Sequence, residues 1–196
     1  MAATDAEPTA APARARLRFG VLALVLGLAV GILAVDQIAK RFVVGNLQEG
    51  VSVPVIGELV QFHFVRNPGA AFSLGIGATW IFAIIALAVA VVIVVFARRI
   101  RSLAWATVLG MLLGGTIGNL ADRLFREPGF GQGHVIDFIQ LWGFPAIFNV
   151  ADIAITFSVV LLVILTLMGL GIDGVRARRR DPEPAPGASG GEGDDA

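Results

Sequence analysis

Four apolar stretches, 19–35, 80–97, 103–120 and 153–172, constrain this chain more than any other feature. Each is close to the ~20 residues that a helix needs to cross about 30 Å of hydrocarbon. The first stretch follows Arg14, Arg16 and Arg18, as the core of a signal peptide would. It exceeds the ~7–15 residues of such a core, however, and it runs into Asp36-Gln37 rather than a small-residue cleavage site, so it reads as a retained helix. The rest of the composition agrees. Of the 196 residues, 56% are apolar and only 15% charged, against roughly 45–50% and about 25% in soluble domains.

The basic residues predict an orientation, because cytoplasmic loops of membrane proteins are enriched in Lys and Arg. Arg14, Arg16 and Arg18 precede the first stretch, Arg98, Arg99 and Arg101 separate the second from the third, and Arg176 and Arg178–Arg180 follow the fourth. Four crossings put all three clusters on one side, with both termini in the cytoplasm. The expected membrane domain is 19–175, with helices at about 19–40, 80–97, 103–122 and 150–172. The flanking tails, 1–18 and 176–196, are rich in Ala and Pro or in Pro, Gly and acid, and are expected to be disordered. The chain has no Cys, which excludes disulfides, thiolate metal sites and a cysteine nucleophile. Two imidazoles, His63 and His134, argue against a zinc site. The formal net charge of zero says little about partners, because local charge decides more than the sum, and no nucleic-acid partner is expected.

Two long outer loops separate the helices. In the first, Leu59-Val-Gln-Phe-His-Phe-Val65 alternates with Val60, Phe62 and Phe64 on one face, which is a strand pattern. It fits either a sheet resting on the membrane surface or an ordinary half-buried hairpin. The second holds Gly129, Gly131 and Gly133, then His134-Val-Ile-Asp-Phe-Ile139 and Trp142-Gly-Phe-Pro145. It reads as a loop dipping into the membrane interface.

Ionisable residues at a membrane boundary are costly and mark functional sites. They fall here into five short groups. Asp36 and Lys40 have the i, i+4 spacing of a favourable helical pair, and Lys40 is the only lysine. Arg66-Asn-Pro-Gly-Ala-Ala-Phe-Ser73 combines a turn signal at Asn67-Pro-Gly69 with small residues that admit close backbone approach. Gly114-Gly-Thr-Ile-Gly-Asn-Leu-Ala-Asp-Arg123 ends the third helix. Gly114 and Gly118 suit tight helix packing there, Asn119 and Asp122 share a face, and Arg123 is placed to pair with Asp122. Asn149 and Asp152 have the spacing of a helix N-cap and its capping-box partner. Asp137 is flanked by Val135, Ile136, Phe138 and Ile139. A carboxylate in that setting needs a partner or a proton, and Arg123 and Arg126 are the bases expected near it.

Two carboxylates across a water can hydrolyse an amide, one as base and the other as acid. Held close, they share a proton and titrate as a pair. Asp152, at the positive end of a helix, suits the ionised member, and Asp137 the protonated one. Taken alone, the acids leave hydrolysis and a transporter's proton relay equally open.

The five groups, in this order, resemble signal peptidase II, whose pattern runs D-x-x-x-K, N-x-G-A-A-F, G-N-x-x-D-R, V-x-D-F and F-N-x-A-D. The matching residues are Asp36…Lys40, Asn67-Pro-Gly-Ala-Ala-Phe72, Gly118-Asn-Leu-Ala-Asp-Arg123, Val135-Ile-Asp-Phe138 and Phe148-Asn-Val-Ala-Asp152. One residue more than the family spacing stands between Pro145 and Phe148. The resemblance implies an all-α membrane protein of four transmembrane helices, with a small outer β-sheet and a periplasm-side loop over the active site. It implies a monomeric aspartic endopeptidase of the bacterial inner membrane, in contact with lipid and without cofactor or metal. Its substrates would be prolipoproteins carrying a diacylglyceryl-cysteine, cut just before that cysteine. Asp137 and Asp152 would be catalytic. Asn67, Asn119, Arg123 and Asn149 would support the dyad or the substrate, and Asp36, Lys40 and Asp122 would be structural. A transporter would want acids at several depths, whereas these cluster at one boundary. A scaffold would not need two aspartates beside three asparagines.

Overall fold

The computed structural model describes residues 11–69 and 79–176, with side chains from 19 onward. The elements in chain order are α1 (Ala11–Asn46), β1 (Ser52–Ile56), β2 (Val60–Asn67), α2 (Thr79–Ala97), α3 (Leu103–Phe125), β3 (Val135–Leu141), β4 (Ile147–Phe148) and α4 (Val150–Leu167). Segments of all four helices are long and apolar enough to cross a membrane.

Helix α1 begins at Ala11, inside the segment expected to be a tail. Ala, Leu and Arg are strong helix formers, and Pro12 falls in the first turn, where its missing N–H costs nothing. At its other end α1 runs past Lys40 to Asn46, where Gly45 and Asn46 stop it. Helix α4 ends at Leu167, five residues short of the expected 172. Gly169, at φ 66°, turns the chain, and the segment beyond it docks on the start of α3. There Trp105 donates its indole N–H to the Leu170 carbonyl, and the Arg101 and Ser102 amides donate to that of Ile172. The residues at 70–73 and in the outer parts of both tails, for which the sequence also carried expectations, lie outside the described residues.

Helix α3 is the central post, in contact with the other three. Half of its membrane window (50%) is buried, against 22% for each of the others. Glycines make this possible. A Cβ at Gly114 would come 2.9 Å from the Ala29 carbonyl oxygen of α1, and one at Gly115 would come 2.5 Å from that of Ala151 in α4. Gly118 leaves room for the Asp36 carboxylate and the Ala151 side chain.

The strands form one antiparallel sheet in the order β1-β2-β3-β4. The sequence pattern found β2 but not its partner: the segment read as an interfacial loop is strand β3, paired along β2. Its burial explains the miss. Val135, Ile136, Asp137 and Phe138 are all buried, so no inside–outside alternation marks the strand. Phe64, Ile136 and Phe138 pack with Val43 of α1, fastening the sheet to the end of the bundle. Strand β2 carries a bulge between Phe62, opposite Ile139, and Val65, opposite Asp137. Without this extra residue, Phe64 would stand opposite Asp137 and Arg66 opposite Val135. With it, Val65 and Asn67 take those places.

Candidate active site

The five polar groups meet where the helix bundle joins the sheet. Asp36 and Lys40 come from the C-terminal part of α1, Asn119, Asp122 and Arg123 from the end of α3, and Asn149 and Asp152 from the start of α4. Asp137 lies on β3 and Asn67 ends β2. After α3, the chain reverses close to its own helix end: the Gly133 amide donates to the Arg123 carbonyl at 3.0 Å. A side chain at position 133 would strike the Asp122 and Arg126 carbonyls. This reversal carries the chain into β3 and brings Asp137 over the helices.

Asp137 is held by amides. Asn67 Nδ2 donates to its Oδ2 at 2.8 Å, and Asn149 Nδ2 donates to its Oδ1 at 2.6 Å. The β2 bulge sets the first contact, since it puts Asn67 opposite Val135 and diagonal to Asp137. Asn67 is itself braced, its Oδ1 accepting from the Gly69 amide. Burial pushes the Asp137 carboxyl up to about 6, and the nearby Asp152 charge adds to the rise. The two asparagine donors and the Lys40 ammonium oppose it.

Asp152 receives Asn119 Nδ2 at 2.8 Å on Oδ1 and the Asn149 backbone N–H at 3.1 Å on Oδ2. The Asn149 side chain accepts in return from the Asp152 amide at 3.0 Å, completing the capping box expected from the spacing. Asn149 therefore caps α4 with its oxygen and reaches Asp137 with its nitrogen. The cap and the bridge are one side chain. Both carboxylates line a cavity of about 780 Å³, whose apolar wall includes Phe144, Phe148, Ile153 and Phe157.

Beneath this pair is a buried ion cluster. Lys40 Nζ lies 2.9 Å from Asp36 Oδ2 and 2.7 Å from Asp122 Oδ2, with all three side chains fully buried. Asp36 Oδ1 also accepts the Ala151 amide at the start of α4. Asp122 accepts the Ile136 amide of β3 and the Arg126 guanidinium. Gln37, absent from the expected set, donates to Asp36, Asp122 and the Gly118 carbonyl. Its place beside Asp36, at the edge of the apolar run, was the available signal.

One expected pairing is corrected. Arg123 does not pair with Asp122, whose carboxylate is taken by Lys40 and Arg126. Arg123 does lie near Asp137, and their charges interact, while Asn67 and Asn149 make the hydrogen bonds to that carboxylate. The Arg123 guanidinium stacks on Phe82 at 5.3 Å and donates from Nη2 to the Gly69 carbonyl at 2.8 Å. Its Nη1 has no partner among the described residues. Also among the described residues, no three His, Asp or Glu side chains converge as ligands to a metal would.

A family model described as "Signal peptidase (SPase) II" matches residues 28–168. The chain belongs to the signal peptidase II family. A lipoprotein signal peptidase of Leifsonia xyli subsp. xyli is 54% identical over 86% of this chain and 78% of its own length. One of Rhodococcus jostii is 48% identical over 74% and 73%. Among solved structures, one titled as a bacterial membrane enzyme is 30% identical, with a TM-score of 0.66 over 73% of this chain and 87% of that one. A second of like title has a TM-score of 0.64 at the same identity, over 73% and 92%. The matched range includes all nine residues expected from the sequence.

Proposed function

We propose that this chain is a membrane aspartic endopeptidase that removes signal peptides from prolipoproteins, cutting just before a diacylglyceryl-cysteine, with Asp137 and Asp152 as its catalytic pair. One observation carries the assignment of residues: two carboxylates on different elements line one cavity and are bridged by a single asparagine. In the cycle, Asp152 is ionised and Asp137 holds the shared proton. A water between them loses a proton to Asp152 as its oxygen attacks the scissile carbonyl, and Asp137 donates its proton to the carbonyl oxygen. The tetrahedral intermediate collapses as Asp137 recovers that proton and Asp152 passes its own to the cysteine nitrogen. A raised Asp137 suits the acid role, because it still holds a proton where an ordinary carboxyl has lost it. Asn67, Asn119 and Asn149 steady both acids without adding charge, and Arg123, whose Nη1 has no partner among the described residues, is placed to hold the substrate backbone.

The distribution of acids favours hydrolysis over proton transport. α1, α3 and α4 carry one aspartate each, α2 carries none, and the three lie at the end next to the sheet. The apolar wall suits a substrate whose lipid and signal helix both arrive from the bilayer. We place the enzyme as a monomer in the bacterial inner membrane, with its arginine-rich turns in the cytoplasm and the cavity at the outer surface. Incubation of the purified protein with a diacylglyceryl-modified prolipoprotein tests this reading. Cleavage just before the cysteine that persists in EDTA, and that is lost in Asp137→Asn and Asp152→Asn, is expected. Cleavage abolished by EDTA and restored by zinc would overturn it.

A further inference from the structure

Lys40 is fully buried, and an ammonium has three protons to donate and no acceptor. Two go to Asp36 and Asp122. The third goes to Asn119 Oδ1 at 2.9 Å. The two ends of an asparagine amide have nearly the same shape, and only their hydrogen-bonding sense distinguishes them. An ammonium facing the NH₂ end would set donor against donor. With Oδ1 turned to Lys40, and accepting Asn149 Nδ2 at 3.2 Å as well, Asn119 has its Nδ2 left to face Asp152 at 2.8 Å. The opposite orientation would press an amide oxygen against that carboxylate and deprive it of a donor.

We propose that Lys40 is a positioning residue for catalysis, acting through Asn119: its ammonium selects the amide orientation that keeps a donor on Asp152. The proposal rests on the peptidase reading above. Lys40 is thus more than the counter-ion of two aspartates. The charged groups around Asn119 and Asp152 are Asp36 and Lys40 from α1, Asp122 and Arg123 from α3, and Asp137 from β3. Of these, Lys40 alone donates to the asparagine.

Removing the lysine alone would leave two buried carboxylates with one cation, so the test uses charge-balanced pairs. Lys40→Met with Asp36→Asn leaves Asp122 to Arg126. Lys40→Met with Asp122→Asn leaves Asp36 and Arg126 as the opposite charges. Each pair is measured alone and together with Asn119→Ala, by steady-state cleavage of a lipidated prolipoprotein, with thermal midpoints in detergent as a check on folding. The expected result is a kcat loss of about ten- to a hundredfold for both pairs, the scale of one charge-assisted hydrogen bond, with KM little changed. In the Asn119→Ala background the same pairs should cost less than about threefold, because the amide is already gone. Equal losses in the two backgrounds would overturn the proposal, as would a folded pair with unchanged kcat. A parent protein that leaves the substrate intact overturns the peptidase reading too, whereas additive losses in a cleaving parent overturn this one alone.

Discussion

Amides rather than charged groups hydrogen-bond the two carboxylates, and at the scale of single residues this choice has a chemical use. A permanent cation bonded to one acid would fix which member ionises, whereas Asn67, Asn119 and Asn149 donate to either form and leave the proton free to change place. Asp137→Asn and Asp152→Asn should each lower turnover by at least about a thousandfold, toward the upper range for a lost acid or base, while the protein still accumulates in the membrane. Asp36→Asn should do the reverse, lowering abundance more than turnover per molecule. It strips a partner from a buried ion cluster, a loss of about 3–5 kcal/mol. Quantitative membrane blots beside single-turnover rates separate the two classes. The raised Asp137 predicts the pH response. It keeps its proton to about pH 6, so the alkaline limb of kcat/KM should lie near or above that value rather than near 4. The Asn67 donor favours the ionised form. Asn67→Ala should therefore move that limb to higher pH, and a pH–rate profile on the lipidated substrate measures it. For stability, a raised carboxyl contributes fully below its unfolded pKa, and the contribution fades as pH rises through about 6. Arg123→Lys keeps the charge but loses the fork, so a partial loss of rate is expected, seen as a rise in KM.

At the scale of elements, Asn149 couples the start of α4 to the site. Asn149→Ser retains a good N-cap but has no amide nitrogen to offer Asp137. It should hold the thermal midpoint close to the parent while activity falls, whereas Asn149→Ala should also lose about 1 kcal/mol of helix stability. Thermal melts in detergent beside cleavage rates distinguish them. Gly115→Ala tests the α3–α4 contact in the same way. The added methyl meets the Ala151 carbonyl, and overpacking of this kind costs about 1–3 kcal/mol. These elements were unequally legible in the sequence. Helices α2 and α3 were readable to within a few residues because uninterrupted apolar runs have no other outcome in a membrane, and the capping box was readable because it is local. Strand β3 was not, since burial on both faces erases its period. The β2 bulge was not either, since it exists only against its partner. The same reason hid the contacts of Lys40. Its spacing from Asp36 is visible along one helix, but Asp122 and Asn119 reach it from a helix about 80 residues away, and only packing reveals that they arrive together.

At the scale of the whole molecule, the turn that carries Arg98, Arg99 and Arg101 precedes α3 and the site lies at the other end of that helix. Single cysteines, which can be introduced freely because the chain has none, test the proposed sidedness. A cysteine at Glu49 or Gln132 should react with an impermeant maleimide in intact cells, and one at Ser189 only after lysis. The reverse pattern would invert the molecule. Helix α4 is also a rod held at both ends. Asn149 caps its start and its first turn carries Asp152, and the turn after it is tied to the start of α3 through Leu170 and Ile172. Its 18 residues make it about 27 Å long, near the thickness of a thin bilayer core. With the catalytic pair and membrane placement proposed above, the enzyme carries a ruler between its anchorage on one membrane face and its chemistry at the other. A substrate's lipidated cysteine floats at the height its own acyl chains dictate, so the two agree only over a band of bilayer thickness. Reconstituted into phosphatidylcholines of increasing chain length, the enzyme should show a rate maximum at intermediate length and decline on either side, with its fold intact throughout.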